Sequence, residues 1–65
     1  MMPKKIRELI RALKRAGFED RGGRGSHRNF SHPSGARITL SGNPSNDAKR
    51  YRERDVERAI REAKR

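Results

Sequence analysis

Sixty-five residues leave room for one small domain and one hydrophobic core, with hydrophobic residues at 29% of the chain and charged residues at 40%. Eighteen Lys+Arg against eight Asp+Glu give a formal net charge of +10, so the expected partner is a polyanion or an acidic protein. Zero cysteines exclude disulfides, thiol catalysis and cysteine-ligated zinc or iron–sulfur centres, and with no apolar run longer than two residues a cytoplasmic chain without signal peptide or membrane span is expected.

The first element is read from Lys4 to Ala16. Ile6, Leu9, Ile10 and Leu13 fall at i, i+3, i+4 and i+7, which is one stripe of an amphipathic helix. Pro3 suits its first turn and Gly17 its C-terminal end. The period then changes to two, and glycine- and proline-containing turns divide the stretch into three short antiparallel strands, near residues 18–21, 26–31 and 36–40. In the second, Phe30 shares a face with Arg28; if Phe30 packs against the helices, His27, Asn29 and Ser31 look out from the open side. In the third, Ala36, Ile38 and Leu40 share one face. After a polar connector from Ser41 to Asn46, Val56, Ala59, Ile60 and Ala63 repeat the helical stripe, predicting a second helix over about 53–64. Asp47 could cap an earlier start, whereas Tyr51 packing on Val56 would staple a later one. The order predicts an α+β fold, α-β-β-β-α, in a single domain over residues 1–65: a three-stranded antiparallel sheet with both helices on one face and the other face open to a ligand.

Thirteen of the cations are arginine, whose planar fork matches phosphate oxygens in pairs. His27 follows Arg24-Gly25-Ser26 and precedes Arg28, directly after a glycine-rich turn. A histidine among arginines can take the proton from an RNA 2′-hydroxyl or return one to the leaving 5′-oxygen, while guanidinium groups stabilise the charge on phosphorus. Arg24, Arg28 and Lys49 are the candidate phosphate ligands, and the backbone at Gly25 and Ser26 is a candidate source of amide donors. His32 lies five residues from His27, an odd separation that sends the rings of an unbroken strand to opposite faces, so His32 is expected to shape the turn before Pro33. Asp20, Asp47 and Asp55 form no recognisable metal-binding pattern, and no metal or small-molecule cofactor is expected. Phe18 and Phe30 are needed for the core, so recognition by backbone charge and helical shape is expected rather than base stacking on the sheet.

Three segments together resemble the HicA-type mRNA interferase toxins: Lys14-Arg15-Ala16-Gly17-Phe18; Gly25-Ser26-His27-Arg28-Asn29-Phe30-Ser31-His32-Pro33 with Gly35; and Arg37-Ile38-Thr39-Leu40. The resemblance covers nearly the whole domain. It implies a double-stranded-RNA-binding-domain-like fold and a ribosome-independent endoribonuclease that cleaves mRNA; with no metal-binding pattern present, the leading expectation is metal-independent cleavage. It also implies a single catalytic histidine matching His27, and an antitoxin partner of the HicB type. After Leu40 this chain departs from the commonest family pattern, running through Asn46-Asp47-Ala48-Lys49-Arg50-Tyr51 into a highly charged helix. The alternative reading is a noncatalytic double-stranded-RNA-binding module built on the same fold and basic surface.

Overall fold

The structure, a computed structural model, describes residues 4–25 and 27–64. Pro3 and Ser26, both singled out above, lie outside the described residues. Helix α1 spans Ile6–Arg15 and buries Ile6, Leu9 and Leu13, with Ile10 packed at the margin of the core. Its first turn is closed on one side by its own sequence: the Lys5 N–H donates to the Glu8 carboxylate at 2.6 Å. Its last turn ends in a Schellman arrangement. Gly17 adopts a φ of +100°, while the Phe18 and Gly17 amides donate to the carbonyls of Leu13 and Lys14, both at 3.0 Å.

The chain then forms strands β1 (Glu19–Gly22), β2 (Arg28–Ser31) and β3 (Arg37–Leu40), an antiparallel sheet in the order β1-β2-β3. Phe30 stands opposite Asp20 on one side and Ile38 on the other, so the central strand's one large apolar side chain meets the half-buried Ile38 across the ladder. A bulge between Asp20 and Gly22 leaves Arg21 as the extra residue of β1. Phe18, Phe30 and Leu40 pack with α1 and α2 on one face of the sheet, and the Cα trace is 17 Å thick along its shortest axis, about one sheet plus one helix layer. The architecture is therefore α+β in the order α-β-β-β-α, with the open sheet face expected from the sequence pattern.

Helix α2 spans Arg50–Ala63 and buries Val56 and Ala59. It starts ahead of the position the apolar stripe predicted, because its first turns carry no stripe: Arg52 and Glu53 are half-buried, and the buried anchor at its entry is Ala48, in the connector. Two expectations at this boundary change. Asp47 does not cap the helix but pairs with Lys5 at 2.7 Å, and the N-cap residue is Lys49. Tyr51 is no staple either; it is 52% exposed.

Phe30, at 1% exposed the largest fully buried side chain, should be the most expensive truncation. We expect Phe30→Ala to cost about 3–5 kcal/mol in chemical denaturation, against less than about 0.5 kcal/mol for Tyr51→Ala; similar losses at both positions would contradict this packing.

Candidate functional site

Strand β2 begins at Arg28, so His27 lies just outside the ladder and the alternation of faces does not reach it. Its amide instead closes a turn by donating to the Arg24 carbonyl at 3.0 Å. Gly23 packs beneath this turn so closely that a Cβ there would stand 2.2 Å from the His27 carbonyl oxygen. The expected position of His27 on the open sheet face is thereby corrected. The residue is exposed, and it lines a cleft of about 420 Å³ at the end of the sheet, shared with Ile6 of α1 and with Ser41 and Gly42 just after β3.

The opposite wall of this cleft is the entry to α2, where Lys49, Tyr51 and Arg52 stand together. Arg52 donates to the Ser41 hydroxyl, and its guanidinium carbon lies 5.1 Å from the centre of the Tyr51 ring, within cation–π range. Asp47 also lines the cleft, but the Lys5 ammonium engages its carboxylate. Two further cations, Lys49 and Arg52, thus flank the space next to His27. Such a space suits an anion and, beside an imidazole, proton transfer to or from a group bound to it.

The other predicted site residues fall elsewhere. Arg28 faces the helix side with Phe30, and its guanidinium donates to Asp20 at 3.0 Å, so it is committed to an ion pair. Arg24 and Gly25 are exposed in the turn before His27 and are not among the residues lining the cleft. Lys49 is the one predicted phosphate ligand brought beside His27. Tyr51 and Arg52 were not anticipated there; the exposed aromatic at the head of a basic helix was the available signal.

The open sheet face holds Arg21, Asn29, Ser31, Arg37 and Thr39, but several of its polar groups are spent on one another. Arg21 donates to the Ser31 hydroxyl at 2.9 Å and pairs with Glu19 at 3.2 Å, while the Thr39 hydroxyl donates to the Asn29 side-chain oxygen at 2.7 Å. His32 sits beyond the other end of β2. Its Nδ1 accepts the Ser34 amide at 3.0 Å, and its ring lies 5.1 Å from that of Phe18. The two histidines therefore flank β2 at opposite ends. Asp20 accepts from the Gly22 amide at 2.7 Å and from Arg28, which together hold its carboxyl below the usual carboxylate range despite some desolvation, with Lys14 adding a smaller attraction. Among the described residues, no three His, Cys, Asp or Glu side chains gather into a metal-binding group.

The profile of a known family, the HicA toxin of bacterial toxin-antitoxin, matches residues 6–64. The chain belongs to the HicA toxin family. As a HicA-family member it is the toxin of a toxin–antitoxin system, from a family of mRNA-cleaving toxins generally paired with an antitoxin. Comparison with curated proteins gives no match. Among the described residues, no helix is long and apolar enough to cross a membrane.

Two measurements check the local geometry of this HicA-family chain. Gly23→Ala should shift the NMR resonances of His27 strongly and leave those of His32 nearly unmoved; equal shifts at both rings, or none, would show that Gly23 does not set the His27 backbone. Asp20→Asn tests the pH dependence of stability. A carboxyl with a depressed folded-state pKa stabilises the fold above its unfolded value, near 3.8, and loses that contribution as the pH falls toward the folded value. Denaturation midpoints of the variant should therefore fall less steeply in that acid window than those of the parent.

Proposed function

We propose that this toxin is a metal-independent endoribonuclease that cleaves mRNA at the cleft beside His27, with His27 as its single catalytic histidine. The observation that carries the reading is the juxtaposition of one exposed imidazole with Lys49 and Arg52 in the same cleft of a chain carrying +10. A phosphodiester seated between the two cations brings its ribose within reach of the ring. The imidazole takes the proton of the 2′-hydroxyl, the O2′–P bond forms and the P–O5′ bond breaks, leaving a 2′,3′-cyclic phosphate and a free 5′-hydroxyl. In-line displacement puts the attacking and departing oxygens on opposite sides of phosphorus, so the 5′-oxygen takes its proton from solvent, to which the cleft is open. Lys49 and Arg52 offset the negative charge that accumulates on the phosphoryl oxygens. Nothing in this sequence of steps calls for a cation beyond those side chains.

The partner we assign is a HicB-type antitoxin that covers the same cleft, and the substrate places the action in the cytoplasm. Arg24 and the backbone of Gly25 and Ser26 remain candidates for further phosphate contacts. We assign Arg28 to the fold, through Asp20, rather than to the substrate.

Removing the base should lower kcat by on the order of 100-fold or more while RNA affinity changes little. His27→Ala is therefore expected to bind a single-stranded RNA about as well as the parent and to leave it intact, and expression of the variant should not arrest growth. Chelation by EDTA should leave cleavage by the parent unaffected, and a 2′-deoxy nucleotide at the scissile position should block it. Protein that binds RNA, never cuts it, and merely binds less tightly after His27→Ala would instead be a double-stranded-RNA-binding module.

A further inference from the structure

Three aromatic residues are present in the chain, and two are sealed in the core: Phe18 is 3% and Phe30 1% exposed. The third, Tyr51, is the exposed large apolar side chain among the described residues, on the wall of the cleft that holds His27. Burying a ring of this size ordinarily stabilises a fold, yet here half of the residue's surface is left to water. A cation stands over its ring: the Arg52 guanidinium carbon lies 5.1 Å from the ring centre, and that guanidinium is itself tethered to Ser41. An aromatic ring held in place beside two cations offers a stacking surface to a base and neutralisation to its phosphate in one place.

From this arrangement we infer that Tyr51 is the stacking platform for a nucleobase next to the scissile phosphate, so that the toxin acts on RNA whose base at that position is unpaired. The inference rests on RNA as the ligand of the cleft and adds the residue that selects single-stranded over duplex substrate. Within an A-form duplex the bases are stacked on one another, and a side chain at the surface meets ribose and phosphate instead. Tyr51 can engage a base only after it has left the stack. Charge and helical shape, which the sequence favoured as the basis of recognition, would then govern approach of the RNA, and Tyr51 would govern which nucleotides can settle beside His27.

The chain has one tyrosine and no tryptophan, so its intrinsic emission reports on Tyr51 alone. The probe is a short 2′-O-methyl RNA oligonucleotide, which lacks the attacking hydroxyl and survives whether or not the protein cleaves RNA. Added to the parent protein, the single strand should quench the tyrosine emission, and the same strand annealed to its complement should not. Scanning an abasic residue along the strand should find a position where the quench disappears and affinity falls on the order of tenfold. Tyr51→Ala should show the same loss and become indifferent to that abasic residue, whereas Tyr51→Phe should bind like the parent. Circular dichroism of each variant controls for folding, which an exposed residue should leave unchanged. Absence of quenching, tolerance of abasic residues at every position, or unaltered discrimination in Tyr51→Ala would each overturn the inference. A Tyr51→Phe variant as weak as Tyr51→Ala would also do so, by assigning the role to the hydroxyl. Quenching by the single strand together with a His27→Ala protein that still cleaves RNA would remove the catalytic proposal and leave the stacking platform standing.

Discussion

The cleft depends on how the first helix begins. The opening amides of any helix lack partners within it, and here those of Ile6 and Arg7 donate to the carbonyls of Asn46 and Pro44, at 2.9 and 3.0 Å, in the connector between β3 and α2. The connector is drawn in further by the Ala48 amide, which donates to the Lys4 carbonyl, and by the Lys5–Asp47 ion pair. It is itself a formed turn, with the Asn43 side chain accepting the Ser45 amide at 3.1 Å and Pro44 following Asn43. The segment read from the sequence as a polar connector is thus bonded to the start of α1 and within itself. Its end fixes where α2 starts, and so brings Lys49, Tyr51 and Arg52 across from His27.

A second constraint is the distribution of cations between structure and site. A strongly basic chain repels itself, and this one uses part of its charge locally: Arg28 with Asp20, Arg21 with Glu19, Lys5 with Asp47. At these half-exposed positions each pair contributes little to stability. Their larger effect is directional, since a guanidinium committed to a neighbouring carboxylate is not aimed at a phosphate. In the cleft the situation differs, because the Arg52 guanidinium is held by a neutral hydroxyl and keeps its charge uncompensated there. With the Asp47 carboxylate of the same cleft engaged by Lys5, the imidazole of His27 shares the space with two cations, Lys49 and Arg52, that attract an anion.

How much of this could be read in the sequence varies with how local each cause is. The two apolar stripes, the alternation around Phe30 and Leu40, and the glycine that ends α1 are short-range patterns, and they led to the observed order of elements. The glycine-rich turn drew attention to His27, and Lys49, a candidate on composition alone, lines the same cleft. The pairing of Arg28 with Asp20 was not legible, because its partner lies diagonally across a bulged pair of strands, a relation set by register rather than spacing. Tyr51 and Arg52 were missed for a related reason. The early start of α2 is dictated by hydrogen bonds between segments some forty residues apart, and no apolar stripe announces it. His27 was assigned to the open face because alternation was carried one residue too far, past the end of its ladder.

The bulge at Arg21 has a consequence for assembly. A row of unpaired backbone groups along the rim of a sheet is a template on which another chain can add a strand, and an interrupted, twisted rim is a poor one. On the β1 side the regular spacing of amides and carbonyls is broken at Arg21, and the Asp20 side chain has already taken the Gly22 amide. On the β3 side the pairing with β2 is regular from Arg37 to Leu40, so the outward half of that strand keeps an even repeat. Growth of this sheet by an incoming strand, whether productive or an aggregation hazard, is therefore directed to one side of the molecule.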